Sequence, residues 1–208
     1  MITQSSVEKF LDDLASGAPA PGGGSAAAIM GAMGAALVSM VCNVTIGKKG
    51  LEAVDPEMKS VREQSEKLRR RLTALVAEDV AAFEGLMAAY RLPKLSEADK
   101  LRRTEAIQTT LRAATETPLD CARACAEVIG LAQRAGENGY AGVISDAGVG
   151  VLAAHTALRS AALNVYINAP SLHDREFAQQ AIAEVEQLLE AGGRRSEAVY
   201  ALVRGRSG

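Results

Sequence analysis

Apolar positions recur at helical spacing along most of the chain. Val7, Phe10, Leu11 and Leu14 share one face, which predicts a short helix over 6–14 with Ser5 or Ser6 as its cap. Pro19 and Pro21 then hold the backbone extended, and Gly22, Gly23 and Gly24 follow. The stretch from Ala26 to Gly47 carries no charge before Lys48 and Lys49. In it Ala27, Gly31, Ala35 and Ser39 recur every four residues, as do Ala28, Ala32 and Ala36, so neighbouring helices can approach closely. Ile29, Met33, Leu37, Met40, Val41 and Val44 supply bulk on the other faces. A helix apolar all round predicts a buried central helix.

The next helix starts at Asp55-Pro56, with Asp55 as cap, and runs to about Tyr90. Its inner line is Val61, Ser65, Leu68, Leu72, Leu75, Phe83, Leu86 and Tyr90. Asp79 interrupts that line and points toward the core side, where a carboxylate needs a partner or a pocket. Helices over 96–118 and 119–135 are expected to be separated by Pro118, and 136–142 reads as a loop. A helix over 145–168 carries the stripe Asp146, Gly150, Ala153, Ala157, Ala161, Asn164 and Asn168, with polar groups at both ends and small residues between. Pro170 stops it. An amphipathic helix over 174–191 follows, Gly192-Gly193 breaks it, and 196–203 continues. The pattern predicts an all-α fold, one domain over 1–208, bundled around the small-residue helix.

Composition narrows the class. The 208 residues suffice for a sizeable core, and 48% are hydrophobic but only 3% aromatic, which suits close helix packing and not strands. A net charge of −2 gives no reason to expect nucleic acid or membrane as partner. Residues 22–47 have the length of a bilayer span, but alanine, glycine, Asn43 and Thr45 weaken transfer into lipid. The first ten residues lack a secretory signal pattern. Cys42, Cys121 and Cys125 read as reduced, buried thiols, and a cytoplasmic protein is expected. His155 and His173 are not spaced as ligands to the cysteines, so no metal is expected. No strand precedes the glycines, which excludes a dinucleotide fingerprint and a phosphate-binding P-loop. No Gly-x-Ser-x-Gly is present.

Several residues remain as candidates for chemistry. The amides of Gly22, Gly23, Gly24 and Ser25 at a helix start suit a carboxylate or oxyanion, and also suit a plain tight turn. Asp79 suits a general base or a counter-ion to a cationic substrate. Its structural reading is an ion pair with Lys48, Lys49 or an arginine. Asp146, beside Ser145, reads equally as a helix cap. Asn164 and Asn168, one turn apart, need hydrogen-bond partners from a ligand or another helix. Lys48 and Lys49 favour a helix C-terminus or bind an anion. These residues do not name a reaction, and a helical interaction protein without a cavity near Asp79 stays open.

Pro19-Ala20-Pro21-Gly22-Gly23-Gly24-Ser25-Ala26-Ala27-Ala28, Thr45-Ile46-Gly47-Lys48-Lys49, Asp79-Val80-Ala81-Ala82-Phe83, Ser145-Asp146-Ala147-Gly148-Val149-Gly150 and Ala162-Leu163-Asn164-Val165-Tyr166-Ile167-Asn168 together resemble the cyclodeaminase/cyclohydrolase family. The match runs in order over nearly the whole chain. The resemblance implies an all-helical domain that dimerises, a tetrahydrofolate derivative as substrate, and no further cofactor or metal. The family holds the cyclodeaminase half of formiminotransferase-cyclodeaminases and stand-alone methenyltetrahydrofolate cyclohydrolases. A chain with no room for a transferase domain favours cyclohydrolase activity, with cyclodeaminase activity as the alternative. On this reading Asp79, then Asp146, activates water. Lys48 protonates the leaving nitrogen or holds an acid, and Ser145, beside Asp146 in the matching block, binds the substrate. Asn164 and Asn168 bind the pterin edge. Gly22 to Ser25 hold folate oxygens or the glutamate tail.

Overall fold

The computed structural model describes residues 6–206. Ser5, one of the two expected caps, lies outside them, and Ser6 caps the first helix by accepting from the Lys9 N–H. The elements are α1 (Val7–Ala15), α2 (Gly23–Thr45), α3 (Asp55–Tyr90), α4 (Glu97–Asn138), α5 (Ile144–Asn168) and α6 (Arg175–Arg206). Short 3-10 turns lie at Glu52–Val54, Ala141–Val143 and Ala169–Ser171. No strand occurs among the described residues.

α2 is the centre. α3, α4 and α5 pack against it, and α6 closes the far side on α4 and α5. The small residues act as the spacing predicts. A Cβ on Gly34 would stand 2.8 Å from the Gly150 carbonyl oxygen, so α2 and α5 cross there almost backbone to backbone. A Cβ on Gly31 would meet the Cys125 Sγ at 2.7 Å. α3 also runs antiparallel to α2, because Ser39 hydrogen-bonds Ser65 at 2.7 Å near one end and Ser25 reaches Asp79 near the other. The three cysteines are free and buried.

Four expectations need correction. Pro118 does not end a helix: α4 runs through it to Asn138 and takes in most of the expected loop. Gly192-Gly193 does not break α6. Gly192 is a packing glycine, since a Cβ there would stand 2.8 Å from Leu158 Cδ2. Asp55 lies inside α3 and accepts from the Gly47 N–H across the connection rather than capping its own helix. Finally, α2 is not covered all round. Met33, Met40 and Val44 are exposed, as are Val149, Leu152, Leu163 and Ile167 on α5, because only three sides of α2 face other helices. α2 and the Ala141–Ser171 segment are long and apolar enough to cross a membrane, with 61% and 44% of their apolar windows buried in the bundle.

Candidate active site

Asp79 sits one turn beyond Leu75 and Val76, which anchor that part of α3 in the core. Its carboxylate reaches the start of α2, where Ser25 Oγ donates to Oδ2 at 2.7 Å. α2 begins at Gly22 with no side-chain cap of its own, so its first amides need an outside acceptor. The Asp79 carboxylate fills that place from the neighbouring helix. Gly24 permits the approach, since a Cβ there would fall 2.7 Å from Asp79 Cγ. Nothing lies within 4 Å of the Cβ position at Gly22 or Gly23, so this edge of the turn is open.

Burial raises the Asp79 carboxyl above the usual carboxylate range. Bonds from the Ser25 hydroxyl and backbone N–H pull it back only in part, and no cation contributes. The expected ion pair with Lys48, Lys49 or an arginine is therefore not what holds Asp79. A buried carboxylate stabilised by neutral donors is poised to accept a proton or face a cation.

Asp79 borders a narrow cleft of about 10 Å³, walled by Gly24, Ala28, Leu75, Thr117, Pro118, Cys121 and Ala161. That is room for about one water. A concavity near Asp79 removes the ground for a purely structural helical protein. Thr117, Pro118 and Cys121 were not foreseen as wall residues. The signal was Pro118 itself, which turns from a helix stop into a wall once α4 is continuous.

The remaining candidates divide between the two ends of the bundle. Asn164 and Asn168 lie at the Asp79 end, on the α5 turns beyond Ala161. Asn164 Nδ2 donates to the Ser160 carbonyl at 3.1 Å within its own helix. Asn168 Nδ2 donates to the Ala114 carbonyl at 2.8 Å. Residue 118 would supply that carbonyl's helical donor, but proline has no N–H. Asn168 thus repairs the ladder that Pro118 interrupts, a helix-to-helix role. Lys48 lies past the other end of α2, with Nζ 3.6 Å above the Tyr140 ring. α2 rises about 30 Å between Ser25 and Thr45. Ser145 and Asp146 belong to the first turn of α5 at that same far end, and neither caps it, because Val143 holds the cap position without a side-chain bond. One chain brings together Asp79, Ser25 and Gly24, with Gly22 and Gly23 beside them and the two asparagines on the α5 turns beyond Ala161 at the same end of the bundle. It does not bring Lys48, Ser145 or Asp146 to them.

An antiparallel helical bundle with a desolvated carboxylate at a glycine-rich helix start is the class this geometry defines. The formiminotransferase-cyclodeaminase family model matches residues 6–187, and the chain belongs to that family. It is 54% identical to the methenyltetrahydrofolate cyclohydrolase of Methylorubrum extorquens over 98% of both chains. It is 32% and 36% identical to the formimidoyltransferase-cyclodeaminases of Rattus norvegicus and Sus scrofa, covering about a third of their length, 35% and 34%. The crystal structure of formiminotetrahydrofolate cyclodeaminase from Thermotoga maritima superposes with a TM-score of 0.89 over all of both chains, at 29% identity.

Proposed function

We infer that this chain is a methenyltetrahydrofolate cyclohydrolase, converting 5,10-methenyltetrahydrofolate and water to 10-formyltetrahydrofolate and a proton. The observation that carries the reading is 54% identity, end to end, to an enzyme of that name. The site suits the chemistry. The substrate's bridging carbon belongs to a delocalised N5–C–N10 cation, and the Asp79 carboxylate is an anion with no cationic partner among the described residues. Water in the cleft adds to that carbon and Asp79 accepts one of its protons. The C–N5 bond of the tetrahedral intermediate then breaks as its hydroxyl proton is lost and N5 is protonated, so that one proton is released in net. The open Gly22–Gly23 edge of α2 offers amides to folate oxygens, and the free carbonyl oxygens of the Asn164 and Asn168 side chains offer acceptors to the pterin edge. The substrate supplies the only cofactor chemistry, with no metal involved. The enzyme works as a cytoplasmic homodimer, a reading supported by its three unpaired thiols and the uncovered apolar face of α2 and α5.

The fold shared with a cyclodeaminase gives the second reading, ammonia release from 5-formiminotetrahydrofolate. Purified protein supplied with each substrate separates the two. Loss of methenyl absorbance with no ammonia from the formimino substrate is expected. Ammonia release from the formimino substrate, with methenyltetrahydrofolate untouched, reverses the assignment.

A further inference from the structure

We propose that Thr117 positions the attacking water. The water gives one hydrogen bond to Thr117 and one to Asp79, which leaves its lone pairs to the substrate's bridging carbon. This rests on the cyclohydrolase reading and adds a residue to its machinery.

The cleft beside Asp79 sets the problem. It has room for about one water, and its wall comes from four helices, α2, α3, α4 and α5. A water held in such a space needs at least two polar partners. Asp79 on α3 and Thr117 on α4 carry the strong hydrogen-bonding side chains of that wall. The rest is glycine, alanine, leucine, proline and the Cys121 thiol, a weak donor and acceptor. The α4 backbone adds little, because Pro118 has no N–H and Asn168 already takes the Ala114 carbonyl at 2.8 Å. A water in this cleft therefore has Asp79 and Thr117 as its partners.

The polarity of both partners is fixed. Thr117 Oγ1 donates its proton to the Ala113 carbonyl at 3.0 Å within α4, so toward any other group it can only accept. Thr110 and Thr115 bond back to α4 carbonyls in the same way, but of the three Thr117 alone borders the cleft. The ionised Asp79 carboxylate is also acceptor-only. Ser25 occupies part of it through its hydroxyl and its N–H, and the remaining lone pairs are open to a water. Two acceptors claim both protons of that water, and its lone pairs face away from them. The pterin is far larger than this space, so the bridging carbon meets the water at the cleft mouth.

The step balances without a further reactant. The water oxygen forms the new C–O bond as one O–H bond breaks and its proton passes to Asp79. The second O–H stays on the adduct, hydrogen-bonded to Thr117, until the C–N5 bond breaks. Thr117 exchanges no proton and supplies orientation. A carboxylate alone would leave the water free to turn about a single hydrogen bond, and a second acceptor removes that freedom. Closure of the same ring by N10 with loss of ammonia consumes no water, so this site serves hydrolysis and not cyclodeamination.

Two measurements test it. In the first, Thr117→Val and Thr117→Ser are compared with wild type in methenyltetrahydrofolate hydrolysis and in thermal melts. Valine keeps the shape and removes the acceptor, whereas serine keeps the hydroxyl. Thr117→Val is expected to lose at least about tenfold in kcat, the scale of a misplaced reacting group. Its KM should stay near wild type, because Thr117 meets the water and not the folate. Thr117→Ser should restore most of the rate, and both variants should keep a Tm close to wild type. Thr117→Val turnover within about threefold of wild type overturns the proposal. So does a loss carried by KM alone, a loss that serine fails to restore, or a lower Tm with kcat intact.

The second measurement is independent of activity. Ligand-free wild type and Thr117→Val are crystallised at a resolution that orders solvent. A water within hydrogen-bond distance of both Asp79 and Thr117 Oγ1 is expected in wild type, and it should be lost or displaced in Thr117→Val. No such water in wild type, or one held unchanged in Thr117→Val, overturns the site. Wild-type protein inert toward both folates would defeat the functional reading and leave the crystallographic result to decide the water site.

Discussion

Asn168 donates its side-chain amide to Ala114, the carbonyl that Pro118 leaves without a helical partner. The bond ties α5 to α4 where α4 walls the Asp79 cleft. It explains how a 42-residue helix tolerates an interior proline.

Asn168→Ala should therefore cost about 1–3 kcal/mol, the penalty of an unsatisfied acceptor. Each kcal/mol corresponds to roughly 2–4 °C in Tm for a chain of this size. In a Pro118→Ala background the loss should shrink, because residue 118 then supplies its own N–H. Thermal melts of the four proteins in this double-mutant cycle check it. Additive losses would show that Asn168 does not act on the Pro118 gap.

Gly24→Ala and Gly23→Ala should part company. A Cβ at Gly24 displaces the Asp79 carboxylate from Ser25, and turnover should fall at least about tenfold, the scale of a misplaced catalytic group. A Cβ at Gly23 enters open space and should leave stability unchanged within about 0.5 kcal/mol, the usual range for such surface changes. Steady-state kinetics with melts on both variants read this out. Equal activity of Gly24→Ala and wild type would contradict the packing argument.

The central helix, the all-helical class and the exceptional placement of Asp79 were legible, because each follows from periodicity alone. The stop signals at Pro118 and Gly192 were misread for one reason: a breaker's effect is set by what packs on it. Asn168 supplies the missing bond at Pro118, and Leu158 demands the missing side chain at Gly192. The separation of Lys48 from Asp79 was also within reach. α2 is long, and its rise per residue already places its two ends about 30 Å apart.

The raised Asp79 carboxyl has a pH signature. The folded state binds this proton more tightly than the unfolded chain, so the contribution to stability is greatest below the ordinary Asp value of about 3.9. It is lost as pH rises through the higher folded-state pKa. The stability of Asp79→Asn relative to wild type should therefore improve with pH across that window and then level off. If Asp79 is the base, kcat/KM should rise with pH through an acid limb lying above about 3.9. Denaturant melts and rate profiles from pH 4 to 8 measure both. A stability difference that does not change with pH would remove the desolvation argument.

The most direct test is the turnover of 5,10-methenyltetrahydrofolate by Asp79→Asn beside wild type. Asparagine keeps the shape and the acceptor for Ser25 but cannot take a proton. A loss of at least about 100-fold is predicted, the lower range for removing a general base, with helical content and Tm retained. Turnover within about threefold of wild type would contradict the assignment of Asp79, since a general base contributes far more than that.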